Sequence, residues 1–181
     1  MKKTLTLAVL IFVCHAAVQS QVYITKTGFI GFYSKTPLED IQAENKQVYA
    51  VVDAGKKNIA FTLLMKNFVF PRKLMQDHFN ENYAESDKFP KAVFTGTFTG
   101  DVNTNKDGVY PVTVKGQLGL HGVMRPVEMP GTIEIKGGKL IGKAKFTIKP
   151  EDYNIKIPSI VIDKIAKEVT VSVDINCSTI K

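Results

Sequence analysis

Covalent chemistry needs side chains that move protons, attack carbon or hold metals, and this sequence is poor in them. It carries 3 histidines and 2 cysteines in 181 residues. His15 and Cys14 fall in an apolar N-terminal run, which leaves His78, His121 and Cys177. Neither histidine has the close-spaced partners that a zinc site needs. His78 sits in a stretch with helical spacing. His121 falls on the outward phase of a strand beside a tight turn, where it is expected to hold backbone groups. Cys177 continues the apolar phase of the last strand and reads as a small buried hydrophobe. Asp101, Asn103, Asn105, Asp107 and Gly108 have the alternating oxygen side chains of a calcium loop, but neither register works. Counted from Asp101, the sixth position is Lys106 instead of glycine. Counted from Asn103, the first ligand is an amide and the twelfth position is Val114. A polar hairpin tip is the better reading. There is no G-x-S-x-G, no H-E-x-x-H and no Gly-rich phosphate loop, and serines and histidines are too few for a triad. No catalytic residue, metal ligand or cofactor motif is expected. What the chain offers instead is apolar surface at a regular period.

That period is two. Val112, Val114, Leu118 and Leu120 alternate with Thr113, Lys115, Gln117 and His121. After Gly122, Val127, Met129, Ile133 and Ile135 alternate with Glu128, Thr132 and Glu134. Two amphipathic strands joined by a short turn make a hairpin. The same alternation recurs at Ile30 and Phe32, at Val48 to Val52, and at Ile59 to Met65. It returns at Ala92 to Phe98, at Leu140 to Ile148 and at Val169 to Cys177. Gly137-Gly138 marks a two-residue turn. About eight strands at short spacing predict an all-β fold, an antiparallel sandwich or barrel with an apolar interior. Two stretches break the pattern. Met75, Phe79 and Tyr83 lie at i, i+4 and i+8, so 71–83 is expected to be a helix capping one end, with Met75 and Phe79 inward. Residues 150–168 mix Pro150 and Pro158 with several isoleucines, and Ser159 is placed to cap a short helix through Ala166.

Lys2 and Lys3 precede an apolar run from Leu5 to Cys14, and Val18 and Ser20 fit a cleavage site. Residues 1–20 therefore read as a signal peptide, too short for a membrane span, and 21–181 as a single domain in the periplasm or outside the cell. Cleavage would take Lys2 and Lys3 from the 24 basic residues, leave the 17 acidic ones and lower the net charge by two from +7. It also leaves one cysteine, so stability must come from the core and not from a disulfide. Nucleic acid is not an expected partner, because the only arginines are Arg72 and Arg125 and no aromatic residues interleave the basic ones. Lys143, Lys145 and Lys149 share an outward phase near Lys136 and Lys139. They form either a solvated face or a weak, transient contact with an anionic membrane surface.

Alternation cannot say which face points inward, because an outer-membrane barrel turns its apolar face to lipid. The absence of aromatic girdles and the helix after the third run favour apolar inside. Ala50, Gly96, Gly116, Gly142 and Ala144 on the inward phases would either thin the lining or only bend strands to close the barrel.

Three ordered motifs add a resemblance. The first is His78-Phe79-Asn80-Glu81-Asn82-Tyr83 with Glu85 to Phe94. The second runs Gly116-Gln117-Leu118-Gly119-Leu120-His121-Gly122-Val123-Met124-Arg125-Pro126-Val127. The third is Glu151-Asp152-Tyr153-Asn154-Ile155 with the closing valine strand. Together they resemble the YceI-like family of exported, lipocalin-like lipid-binding proteins. Gly119 stands where that pattern usually has threonine, and Asn154 where it commonly has glycine. The resemblance implies an eight-stranded antiparallel barrel with an apolar tunnel. It also implies a long amphiphile, such as a polyisoprenoid, an isoprenoid quinone or a fatty-acid-like lipid, as bound ligand and not as catalytic cofactor. The lining expected from the inward phases and the helix is Phe32, Phe61, Leu63, Met75, Phe79, Phe94, Phe98, Val114, Leu118, Leu120, Met129, Ile133, Ala144, Phe146, Val171 and Val173. Two rivals stand beside a carrier. One is a filled barrel serving as an interaction module. The other is a lipid-acting enzyme, against which the uncharged inward phases argue.

Overall fold

Strands with one apolar and one polar face must curl the apolar face onto itself, and closure also removes the sheet's outer edges. The computed structural model describes residues 21–35, 40–157 and 167–180. Its strands are β1 (Val22–Lys35), β2 (Asp40–Asp53), β3 (Asn58–Leu64), β4 (Lys91–Thr99), β5 (Gly108–Leu120), β6 (Val123–Lys136), β7 (Lys139–Ile148) and β8 (Val169–Thr179). Each pairs antiparallel with its sequence neighbour, and β1 pairs with β8 to close an eight-stranded barrel. The expected leader and the expected helix at Ser159–Ala166 lie outside the described residues.

The apolar phase faces inward. Charged pairs sit on the outer wall, Lys115 with Glu128 at 3.1 Å and Lys143 with Asp174 at 3.5 Å. This is the reverse of a barrel that turns a hydrocarbon band to lipid.

Several boundaries differ from the periodic reading. β1 begins at Val22, well before Ile30, and β2 begins at Asp40, well before Val48. The reason is polar content. The first half of β2 carries Gln42, Glu44, Lys46 and the buried Asn45, which hides the alternation. Asn45 is satisfied locally: its side-chain amide donates to the Leu64 carbonyl at 3.0 Å, and its Oδ1 accepts from Gln47 N–H at 2.9 Å. β3 stops at Leu64, and Met65–Asn67 makes a 3₁₀ turn.

The expected helix over 71–83 is two pieces. Lys73–His78 is α-helical (α1), and Phe79–Tyr83 widens to a π-turn, with Ala84 N–H donating to Phe79 O at 2.7 Å. Asn80 holds this turn from both sides. Its Nδ2 donates to Gln76 O at 2.9 Å, and its Oδ1 accepts from the Ser86 hydroxyl at 2.7 Å.

Connections alternate between the barrel's two ends. At the base are 54–57, 100–107 and 137–138. At the mouth are 65–90 and 121–122, and 149–157 follows β7 there. Gly137 and Gly138 have φ of 55° and 77°, and His121 and Gly122 have φ of 50° and 75°. Two positive φ values are what a tight hairpin turn between right-twisted strands requires. The acidic and amide run is a hairpin tip, as its composition suggested. Asp107 accepts from Gly137 N–H at 3.1 Å, and Asn103 Oδ1 accepts from Asn105 N–H at 3.0 Å. Among the described residues no group of three or more His, Cys, Asp or Glu could hold a metal.

Candidate functional site

The base is filled. Tyr23, Val52, Phe98 and Ile135 are each 1% exposed, and Leu140 and Cys177 are wholly buried. Register explains this, because Leu140 lies opposite Ile135 on β6 and opposite Cys177 on β8, so large inward side chains meet in one layer. Burial pushes the Cys177 thiol up to about 12, as suits an inert packing residue.

Above that layer the barrel is hollow. It holds a cavity of about 570 Å³, whose lining on β7 runs from Leu140 to Ile148. At about 3.3 Å per residue and a strand tilt of about 40°, that span gives a depth of roughly 20 Å. The wall is apolar, with Val114, Leu118, Met129, Ile133, Ala144, Phe146, Val171 and Val173 on β5 to β8, and Phe32, Phe61, Leu63 and Phe94 opposite. Leu120 lines it near the mouth, and Met75 and Phe79 descend from the roof.

Fifteen of the sixteen lining residues expected from sequence therefore border the cavity. Phe98 does not, and this is a correction: it lies in the filled layer, packed with the base cluster. The inward small residues also divide. The inward sides of Gly96 and Gly116 are taken by the ring of Phe94, which comes to 2.8 and 2.7 Å from where a Cβ would stand, and that of Gly142 by Ile175 at 2.9 Å. Ala144 borders the open space.

The roof comes from the long β3–β4 connection. Phe68 and Phe70 point in and Val69 points out, because Val69 bridges to Glu44 on β2 through two backbone hydrogen bonds of 2.8 and 3.1 Å. Phe32, Phe68, Phe70 and Phe79 form one aromatic cluster, with ring centroids 5.0–5.8 Å apart. Such pairs add roughly 0.5–1.5 kcal/mol each beyond burial. Sequence reading missed Phe68 and Phe70. Their signal was present as a two-residue alternation, hidden between the end of β3 and Pro71.

His121 holds a backbone carbonyl as expected, but its placement is the second correction. It is not on an outward face but 8% exposed in the β5–β6 turn, with the Phe89 ring against it at 4.3 Å. Its Nδ1 lies 3.0 Å from the Tyr153 carbonyl and its Nε2 2.7 Å from a Glu85 carboxyl oxygen. A carbonyl only accepts, which makes Nδ1 the donor to Tyr153, and Nε2 is engaged by the Glu85 carboxyl group. Both ring nitrogens are thus engaged in holding the mouth together. Arg125 Nε donates to the Asp152 carbonyl at 2.9 Å. The three sequence motifs meet here: Glu85 from the first, His121 and Arg125 from the second, Asp152 and Tyr153 from the third. Their role is to pin the mouth.

The two departures have local causes. Asn154 has φ 57°, a left-handed position that asparagine tolerates best after glycine. Gly119 is covered by Met124 and Val93, which come within 2.5 and 2.8 Å of where its Cβ would stand and leave no room for threonine.

A polyisoprenoid-binding domain from Saccharophagus degradans implicated in plant cell wall breakdown superposes with a TM-score of 0.75 at 12% identity, covering 90% of this chain and all of that one. Burkholderia cenocepacia BcnA superposes with a TM-score of 0.71 at 18% identity, over 84% and 96% of the two chains. A Campylobacter jejuni YceI protein gives 0.54 at 16% identity, over 69% and 73%. At these identities the likeness is one of fold. No curated protein matches the sequence. Residues 16–177 match the YceI-like domain, which is most of the chain. The chain belongs to the YceI-like family.

Proposed function

We propose that this protein is an exported, non-catalytic carrier that buries the chain of a long amphiphile, a polyisoprenoid, isoprenoid quinone or fatty-acid-like lipid, inside its barrel. The observation that carries this reading is the cavity of about 570 Å³ with an almost wholly apolar wall inside a closed barrel. A space that water fills poorly favours hydrocarbon. Each buried methylene contributes about 0.8 kcal/mol, so ten give roughly 8 kcal/mol before association costs. The polyisoprenoid-binding description of the Saccharophagus domain, on the same fold, supports the same class of ligand. The sixteen residues expected at the lining, less Phe98, are the proposed contacts. Transient contact with an anionic membrane through Lys143, Lys145 and Lys149 completes the cycle of loading and delivery.

Native mass spectrometry of protein purified from its own host, followed by lipid extraction, tests the carrier. A co-purifying single-chain amphiphile is expected. A protein that is lipid-free and also refuses added prenyl lipids would establish the filled-barrel alternative.

A further inference from the structure

The ladder between β6 and β7 stops halfway up the barrel wall. β6 and β7 pair from Lys136 opposite Lys139 up to Gly131 opposite Ala144, and no pair is formed between them above that point. Their other neighbours continue. β5 stays in register with β6 to the mouth, past Pro130 opposite Thr113 and Pro126 opposite Gln117, and β8 pairs with β7 to Ile148. Proline has no N–H to give. Because the β5 ladder is unbroken through both prolines, their missing donors face β7, and the seam cannot zip there. The seam is closed again at the mouth by Arg125 on the Asp152 carbonyl at 2.9 Å. The result is a slot bounded by Pro126–Pro130 on one side and 145–149 on the other.

The lower end of the slot adjoins both the cavity and a groove on the outer wall. Both border Thr132, Lys143, Ala144 and Val173. The slot's rim is basic on its β7 side, while Glu128 on the β6 side is exposed and paired with Lys115 at 3.1 Å. Lys145 and Lys149 are exposed on β7 and just past its end, and among the described residues no ion pair is formed by either, whereas Lys143 is paired with Asp174. Phe146 and Ile148 lie between them and line the cavity. Inward apolar residues thus alternate with outward Lys145, Thr147 and Lys149 along this stretch. On the other side of the mouth, the phenylalanine cluster and α1 roof the barrel.

We propose that this slot is a side port through which the head group of the bound amphiphile leaves the barrel, and that the head group is anionic, held by Lys145 and Lys149. The port rests on the carrier reading above. It deepens that reading by assigning the ligand's polar end a place and a charge. Lysine and proline also guard strand edges against unwanted pairing. A guarding role alone requires no difference between ligands of opposite head-group character, and that difference is what the test reads.

The test uses the full mature chain in solution, without vesicles, so that membrane attraction does not contribute. Geranylgeranyl phosphate and geranylgeraniol share a chain and differ in head charge. Both should bind the native protein. The double variant Lys145→Glu with Lys149→Glu should weaken the phosphate about tenfold and leave the alcohol unchanged. Lys136→Glu with Lys139→Glu, at the base, should alter neither. Equal loss for both probes, or none for the phosphate, overturns the port and leaves the carrier standing. If neither probe binds the native protein, the carrier reading falls and the port with it. A photoactivatable group on the head of the phosphate probe, used on the native protein, gives an answer that needs no variant. Label on 126–130 or 145–149 is expected, and label confined to 72–83 overturns the proposal.

Discussion

At the base, Ile135, Leu140 and Cys177 stand side by side on three consecutive strands, and none is more than 1% exposed. Toward the mouth the same strands present Met129, Ala144 and Val171, and these border empty space. Both regions are apolar and both are barrel interior. The difference lies in the connections. At the base the connections lay no roof of their own across the interior, and inward side chains meet each other. At the mouth the 65–90 connection brings its own apolar residues, Phe68, Phe70, Met75 and Phe79, and lays them across the opening. The wall no longer has to fill the interior, because the roof has its own packing partners. A barrel built from one residue pattern can thus be core at one end and container at the other.

The strongest challenge to that contrast is paired truncation. Phe98→Ala at the base should cost about 3–5 kcal/mol, as a large buried ring does. Phe146→Ala at the cavity wall should cost less than about 1.5 kcal/mol, because its ring already faces open space. Urea melts of both variants check this, and equal costs would erase the distinction between container and core.

Filling the container is the next test. Ala144→Phe should abolish prenyl-lipid binding, a loss of about a hundredfold or more, with less than about 1 kcal/mol change in stability. A packed interior would instead cost about 1–3 kcal/mol for the same overpacking. One thermal melt and one binding titration separate the two cases.

The mouth's own cohesion is probed at His121. His121→Asn keeps a residue that tolerates positive φ but cannot span from Glu85 to the Tyr153 carbonyl. It should cost about 2 kcal/mol, the scale of losing buried hydrogen bonds that include a carboxyl partner. The faster hydrogen exchange it causes should be confined to the mouth. Exchange that rises equally at Leu140 and Cys177 would mean that the two ends do not open separately.

The last effect is confined to alkaline pH. The folded state holds the Cys177 proton to about 12, against an ordinary value of 9.0. The unfolded chain releases it from about pH 9 upward, so stability that is present below pH 9 is lost as pH rises through that window. The slope is on the order of 1 kcal/mol per pH unit at most. Cys177→Ala should flatten the alkaline limb of a stability–pH profile. An unchanged limb would show that the base is wetter than its burial implies.

Much of this was legible in the chain. A period of two needs no partner to be read, so β5 to β8 stand where their alternation puts them. Cys177 follows the same phase into the core. The signal failed where polarity masked phase, as in the first half of β2, and where the alternation was too short to notice, as at Phe68 and Phe70. His121 was read from its neighbours in sequence, yet its environment is set by Glu85 and Tyr153, which only folding brings near. Phe98 shows the same limit from the other side, since its phase is correct and its depth in the barrel was not readable.

The sequence by itself determined the periodicity, and with it an eight-stranded antiparallel sheet, an apolar phase and a polar one. Periodicity is a local property, written in each side chain's relation to its neighbours two positions away. Tertiary structure decided which inward residues meet and which face space, where three distant motifs converge on one histidine, and that the β6–β7 ladder ends at Gly131. Those outcomes depend on register between strands and on the path of the long connections. No local pattern encodes a distance between residues that the chain holds dozens of positions apart.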